Sequence, residues 1–246
     1  MQNEIVQRMK KLINTFAITV SLIVLMSFQS VDGLVYLEIE SRKLHNGKVV
    51  THNSELLLNI DNGEMIIHYT QPQEMYIFSN KLGEMKLYYP KRNEVLRQQN
   101  MMFSSEGEAM YHFFNNQGQD LGLTESGFFI DKSELEDQYL VTDWNSPPEL
   151  ASQISKAKLV QEDYLPIYLA YFDAEEKVKQ KLYLSEWSFE SIAVYPKRMT
   201  QIDFLSNNDS IISKKIYKNL KLGKAASESF AFISIPEDAK LIKTEK

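Results

Sequence analysis

From Leu34 onward apolar and polar side chains alternate with a period of two, and turn-forming residues interrupt the alternation at regular intervals: Asn46-Gly47, Asp61-Asn62-Gly63, Pro72, Asn80 to Gly83 and Pro90 to Asn93. Period two puts successive side chains on opposite faces of a strand, and Gly or Asn adopts at least cost the positive φ that tight hairpin turns need. The pattern predicts an antiparallel meander with strands near 34–44, 48–60, 64–70, 74–79, 84–89 and 94–98. After a gap it resumes, predicting strands near 127–131, 138–143, 154–160, 165–173, 178–187, 192–205, 210–220 and 229–234, with polar tips at 173–177 and 206–209.

Some of the early strands are apolar on both faces, as in Leu56-Leu57-Leu58, Met65-Ile66-Ile67 and Met75-Tyr76-Ile77-Phe78. A sheet with one wet face would alternate more cleanly, so helices or a ligand must cover part of the second face. The segment Ser104 to Asn115 is the expected cover. Ser105 and Glu108 have capping-box spacing, and Ala109, Met110, Phe113 and Phe114 follow at helical intervals. A further helical turn is expected near Asp120 to Glu125. Pro147-Pro148 marks a break without the shift in composition that a domain boundary would bring.

Ahead of the meander, Arg8, Lys10 and Lys11 precede an apolar stretch from Leu12 to about Phe28, interrupted by Asn14, Thr15, Thr19 and Ser21. That layout predicts an export signal over residues 1–30, cleaved to release a single domain over 31–246, with an uncleaved membrane anchor as the alternative. There is no cysteine, which excludes disulfides, thiolate metal sites and a lipid-modified cysteine. Net charge is −6 with both signs interspersed along the chain, so no basic stripe is expected for nucleic acid or anionic lipid headgroups.

Candidate chemistry is sparse. No G-x-S-x-G elbow, Gly-rich phosphate loop or H-E-x-x-H helix is present. His45, His52, His68 and His112 stand singly, and the acids at Glu134/Glu136/Asp137, Glu162/Asp163 and Glu175/Glu176 fall near loops where solvated charge is the ordinary reading. No enzyme activity, metal or cofactor is expected. The 13 Tyr, 13 Phe, 10 Met and 2 Trp provide material either for an ordinary core or for a soft apolar surface.

Residues 54–98 resemble the LolA family of periplasmic outer-membrane lipoprotein carriers. The likeness rests on Tyr69-Thr70-Gln71-Pro72, on Met75 to Ser79, on Leu87-Tyr88-Tyr89-Pro90 and on Asn93-Glu94-Val95. In the family's order follow a helical interruption after the sixth strand, a late group of long hairpins, and Phe230-Ala231-Phe232 with Ile235-Pro236-Glu237-Asp238-Ala239. The chain departs from the family at Asn59-Ile60-Asp61, where many members carry a basic residue and proline, and at Leu87, where a tryptophan is frequent; the arginine that latches the lid in the best-known branch has no counterpart here.

This resemblance implies an α+β, mostly antiparallel fold: an incomplete, curved β-barrel of about ten to twelve strands, a half-barrel closed by lid helices over an apolar cavity. It implies a monomeric periplasmic carrier for the acyl chains of lipoproteins or another lipid, receiving cargo from an inner-membrane release complex and passing it to an outer-membrane acceptor. The cavity lining implied is Leu56, Leu58, Ile67, Tyr69, Ile77, Leu87 and Tyr89 from the sheet, with Met110, Phe113 and Phe114 from the lid. Two alternatives share the pattern: an envelope protein handling glycolipid or pigment lipid, and an interaction scaffold whose interior is filled by its own side chains.

Overall fold

The computed structural model describes residues 33–100, 103–190, 193–205, 209–230 and 234–242. The expected export signal, part of the Phe230-Ala231-Phe232 motif and most of the 206–209 tip lie outside these residues. The early strands are β1 (Leu34–His45), β2 (Lys48–Asn59), β3 (Met65–Gln71), β4 (Met75–Ser79), β5 (Glu84–Tyr89) and β6 (Glu94–Gln99). A short helix α1 (Ala109–Phe114) precedes β7 (Phe129–Glu136), β8 (Tyr139–Asn145), β9 (Lys156–Glu162), β10 (Leu165–Phe172), β11 (Val178–Phe189), β12 (Val194–Phe204) and β13 (Ser210–Leu222). Helix α2 (Gly223–Ser229) and strand β14 (Lys240–Ile242) complete the described elements.

Among the described residues all the strands join one sheet in the order β14-β6-β5-β4-β3-β2-β1-β13-β12-β11-β10-β9-β8-β7, with β14 and β7 at its edges, and the sheet does not close into a barrel. Every pairing is antiparallel except β14 with β6. The β1–β2 turn is built by Asn46 (φ 50°) and Gly47 (φ 70°), the left-handed pair that a two-residue hairpin demands. Leu56 and Leu58 on β2 share one buried core with Leu169 on β10 and Trp144 on β8. In a flat sheet β2 and β8 would stand about 34 Å apart at ~4.8 Å per strand, so the sheet must curl to bring them together.

The curled sheet has an inner face, which holds this core, and an outer face. Segment 104–128 fills the inner face: Met110, Tyr111, Phe113 and Phe114 of α1, then Leu121, Leu123 and Phe128. A helix of six residues is far too short to persist alone, so its packing is what holds it. The turn at 120–125 forms as expected, with the Asp120 carboxylate accepting from the Gly122 and Thr124 amides at 3.0 and 3.1 Å. Gly122 is required there: at φ 78° it lies against the His112 ring, where any Cβ would collide.

Four expectations need correction. The strands number fourteen among the described residues, not ten to twelve. The Ser105/Glu108 capping box does not form: Ser104 accepts from the Glu106 amide at 3.2 Å, Glu108 makes no side-chain cap, and its carboxylate is drawn elsewhere. Ser229, expected to open a strand at 229–234, ends α2 instead. Segment 104–115 covers the inner face only. The second apolar face of the early strands is covered by the C-terminal segment, where Ala226 and Phe230 pack on Tyr36 and Leu57, and Ile235 and Ala239 pack on Tyr76, Tyr88 and Val95.

Candidate functional site

Strand alternation and register decide which side chains reach the inner face. Leu37 pairs with Leu56, Leu56 with Ile67, Ile67 with Ile77, Ile77 with Leu87, and Leu87 with Leu96. Four of the expected lining residues therefore stand in one cross-strand row, with Leu58, Tyr69 and Tyr89 an even number of positions away on the same face. Leu56, Leu58 and Met110 are fully buried, Phe113 and Phe114 nearly so, and Ile67 packs against them. Tyr69, Ile77, Leu87 and Tyr89 are half-buried. The fold thus brings the ten residues to one side of the sheet, but it closes those under α1 into packed core.

Space opens at the edge of this core. A cavity of about 510 Å³ is lined by Phe113, Asn116, Gly118 and Gln119 from the lid segment, Tyr164, Leu165 and Pro166 at the β9–β10 turn, and Trp187, Glu190, Ala193 and Val194 from the β11–β12 hairpin. Its volume falls within the range of ~300–1,000 Å³ usual for small-molecule sites. Phe113 belongs to both core and cavity and meets Trp187 edge to face at 5.6 Å, while Phe114 lies 5.7 Å from Tyr195. The other cavity residues escaped the sequence reading. Period two along Leu182 and Leu184 points to Glu186, but Glu186 adopts φ 56° and the shifted phase brings Trp187 inward instead.

The lid's first turn is tied to the sheet by a polar cluster that no sequence spacing reveals. Glu108 accepts from the Lys215 ammonium at 2.8 and 3.2 Å and from the Tyr217 hydroxyl at 3.2 Å. Burial opposes the charge on Lys215, and the Glu108 carboxylate outweighs it, raising the lysine above its ordinary value. Tyr217 is held well above the usual tyrosine value by burial first and by the Glu108 charge second. Tyr69, close by, is raised by burial.

Several of the remaining candidates have structural partners. His68 sets Nδ1 3.1 Å from Glu55, faces Glu74 at 3.8 Å and stacks on Tyr76 at 4.1 Å. Glu134 pairs with Lys132, Glu162 accepts from Gln138, and Glu176 pairs with Lys156. Among the described residues no group of three or more His, Asp or Glu could hold a metal ion, and no helix is long and apolar enough to cross a membrane.

Searches by sequence find no matching family model and no matching curated protein. Solved structures do match. A DUF1329 family protein from Desulfovibrio piger superposes with TM-score 0.56 at 17% identity, over 82% of this chain and 90% of that one. A LolA superfamily protein from Nitrosomonas europaea gives TM-score 0.54 at 13% identity, over 82% and 91%. An outer membrane lipoprotein-sorting protein domain from Vibrio parahaemolyticus gives 0.54 at 14% identity, over 78% and 86%. With its open antiparallel sheet curled around a short lid, the chain has a LolA-like fold.

Proposed function

We propose that this protein is an exported, non-catalytic carrier that takes the acyl chains of lipoproteins, or of another lipid, between the inner face and the lid, and moves them from inner to outer membrane. The observation that carries this reading is the cavity beside Phe113, a side chain that belongs to the same core as Leu56 and Ile67 of the apolar row. Acyl transfer into such a space is favoured by roughly 0.8 kcal/mol per CH₂. A carrier must also release, and the aliphatic row of Leu56, Ile67, Ile77 and Leu87, which offers contact area and no polar anchor, suits both steps. The lid helix has no side-chain cap at its N-terminus and is retained by its packing and by Glu108, while the strand pairing of the sheet runs without it. The lipoprotein-sorting fold of the structural neighbours agrees with this reading.

Tight packing of Leu56, Leu58 and Met110 favours a second reading, an interaction scaffold with a self-filled interior. Native mass spectrometry of protein purified gently from its host, followed by identification of released material, separates the two. Recovery of a triacylated lipoprotein or a lipid supports the carrier and names the cargo. A clean apo mass that persists with added acylated ligand supports the scaffold. Phe113→Ser should weaken acyl-ligand binding about tenfold, the equivalent of losing contact with one or two methylenes.

A further inference from the structure

Along the chain the two signs of charge alternate, yet the register collects cations and exposed aliphatic side chains at one end of the sheet. Leu44 pairs with Val49 in the β1–β2 hairpin and with Ile212 across β1–β13, and Ile212 pairs with Ile202 on β12. Val49, Leu44, Ile212 and Ile202 therefore form one row on the outer face, and Ile202 pairs onward with Lys181. In the next row Arg42 pairs with Lys214. Phe204 lies one step nearer the tip, with the Lys181 ammonium over its ring at 5.8 Å. Exposure is high for residues of this kind: Val49 64%, Val50 43%, Leu44 38% and Phe204 37%.

From Ser41 to Ser54 the hairpin carries Arg42, Lys43, His45, Lys48 and His52 and no carboxylate. Nearby acids are already engaged: Glu40 accepts from Arg42 and Lys218, Asp209 faces His45 at 3.5 Å, and Asp203 accepts from Gln180 and Gln201. Pairing of β2 with β3 begins only at Asn53, so residues 48–52 project beyond β3.

We propose that this end of the sheet docks tip-first on an anionic lipid bilayer, with Val49, Leu44 and Phe204 entering the headgroup layer and lipid phosphates met by Arg42, Lys181 and Lys214 on the outer face and by Lys43 and Lys48 on the other face of the projecting hairpin. Charge complementarity selects this occupant. A chain of net charge −6 is repelled as a whole by an anionic surface, and among the described residues this end, a hairpin with cations and no carboxylate from Ser41 to Ser54, is the end suited to face one. A nucleic acid would satisfy the cations but leave the aliphatic row against water. This inference does not depend on the cargo.

The test is flotation of the full chain with vesicles of phosphatidylcholine alone and of phosphatidylcholine with phosphatidylglycerol, at low and high salt. The readout is the increment in bound protein caused by the anionic lipid. That increment should be about tenfold at low salt and shrink at high salt. K43E/K48E/K214E should abolish it, and Val49→Asp should reduce what survives at high salt. Lys43, Lys48 and Lys214 are exposed, so K43Q/K48Q/K214Q is the second variant if charge reversal disturbs folding, and it should lose most of the increment too. No anionic-lipid increment, an increment undiminished in the charge variants, or preferential capture of a DNA duplex over vesicles would each overturn the proposal.

Discussion

The early strands, β1 to β6, and the later ones, β8 to β13, belong to one sheet but are dressed differently. In the early group both faces are covered: the inner by α1 and its following turns, the outer by α2 and the segment running to β14. In the later group, among the described residues, only the inner face is covered, and the outer presents Tyr183, Lys181, Lys214 and Phe204. Sequence follows this division. Leu57 and Ile66, between inner-facing neighbours, are apolar because the C-terminal segment packs on them, whereas the outer positions between Leu182, Leu184 and Met199 are lysine, tyrosine, serine and arginine. Loss of alternation thus marks where a second layer lies, without saying which segment supplies it.

The sharpest way to break this comparison is to truncate matched outer-face residues. Leu57→Ala removes a side chain sealed beneath Ala226 and Phe230 and should cost about 2–5 kcal/mol. Tyr183→Ala, on the bare outer face, should cost about 0.5–1 kcal/mol, mainly from its contact with Tyr168 at 5.1 Å. Urea unfolding of both variants is the measurement. Equal losses would mean that the C-terminal segment does not shield the early strands in solution.

Local pattern carried most of the strand positions, and the reason is physical: a sheet with one buried face writes its register into period two. It also carried the inner-face assignment of Leu56, Ile67, Ile77 and Leu87, which needs only parity along each strand. Long-range features were illegible. Glu108 stood three residues after Ser105, and the capping box was the local use for it; its actual partners, Lys215 and Tyr217, lie more than a hundred positions away. The stretch from Gly223 to Ser229 offers Ala225 and Ala226 but no apolar stripe, so nothing announced a helix whose burial rests on Ala226 and the following Phe230. Trp187 was hidden by a change of phase at Glu186.

The Glu108 cluster is the seam between the two groups, since it ties the lid to β13, the strand beside β1. Glu108→Gln leaves Lys215 without its counter-charge and should cost about 1–3 kcal/mol. Alkaline titration sharpens the same point. Lys215 and Tyr217 are both raised in the folded state, so folding keeps protons that the unfolded chain releases. Their contribution is full below the unfolded values of 10.5 and 10.0 and is lost as pH climbs through the raised ones. Chemical denaturation at stepped pH should show near-constant stability up to about pH 10 and a decline above it. Tyr217→Phe should make that decline shallower; an unchanged slope would place the alkaline sensitivity elsewhere.

The smallest effect is expected at the edges of the sheet, where the contrast is one of protection. The early edge, β6, is capped by β14, with Leu241 paired to Val95. The late edge, β7, has no strand beyond it among the described residues, and all eight of its residues are exposed, Leu135 at 75%. An open edge is a template for pairing with another chain unless something discourages it. Here the discouragement is visible: Asp131, Lys132, Glu134 and Glu136 crowd the strand, and its register with β8 slips between Ile130 and Lys132. Leu135→Ser should therefore leave stability within about 0.5 kcal/mol of the parent, since the side chain is already in water. Replacing Lys132 and Glu134 together with threonine is a different experiment, because it strips the guard without touching the core. Size-exclusion chromatography across a concentration series should then show self-association that the parent lacks. A double variant that stays as dispersed as the parent would mean that the bulge, with Asp131 and Glu136, suffices to keep the edge unpaired.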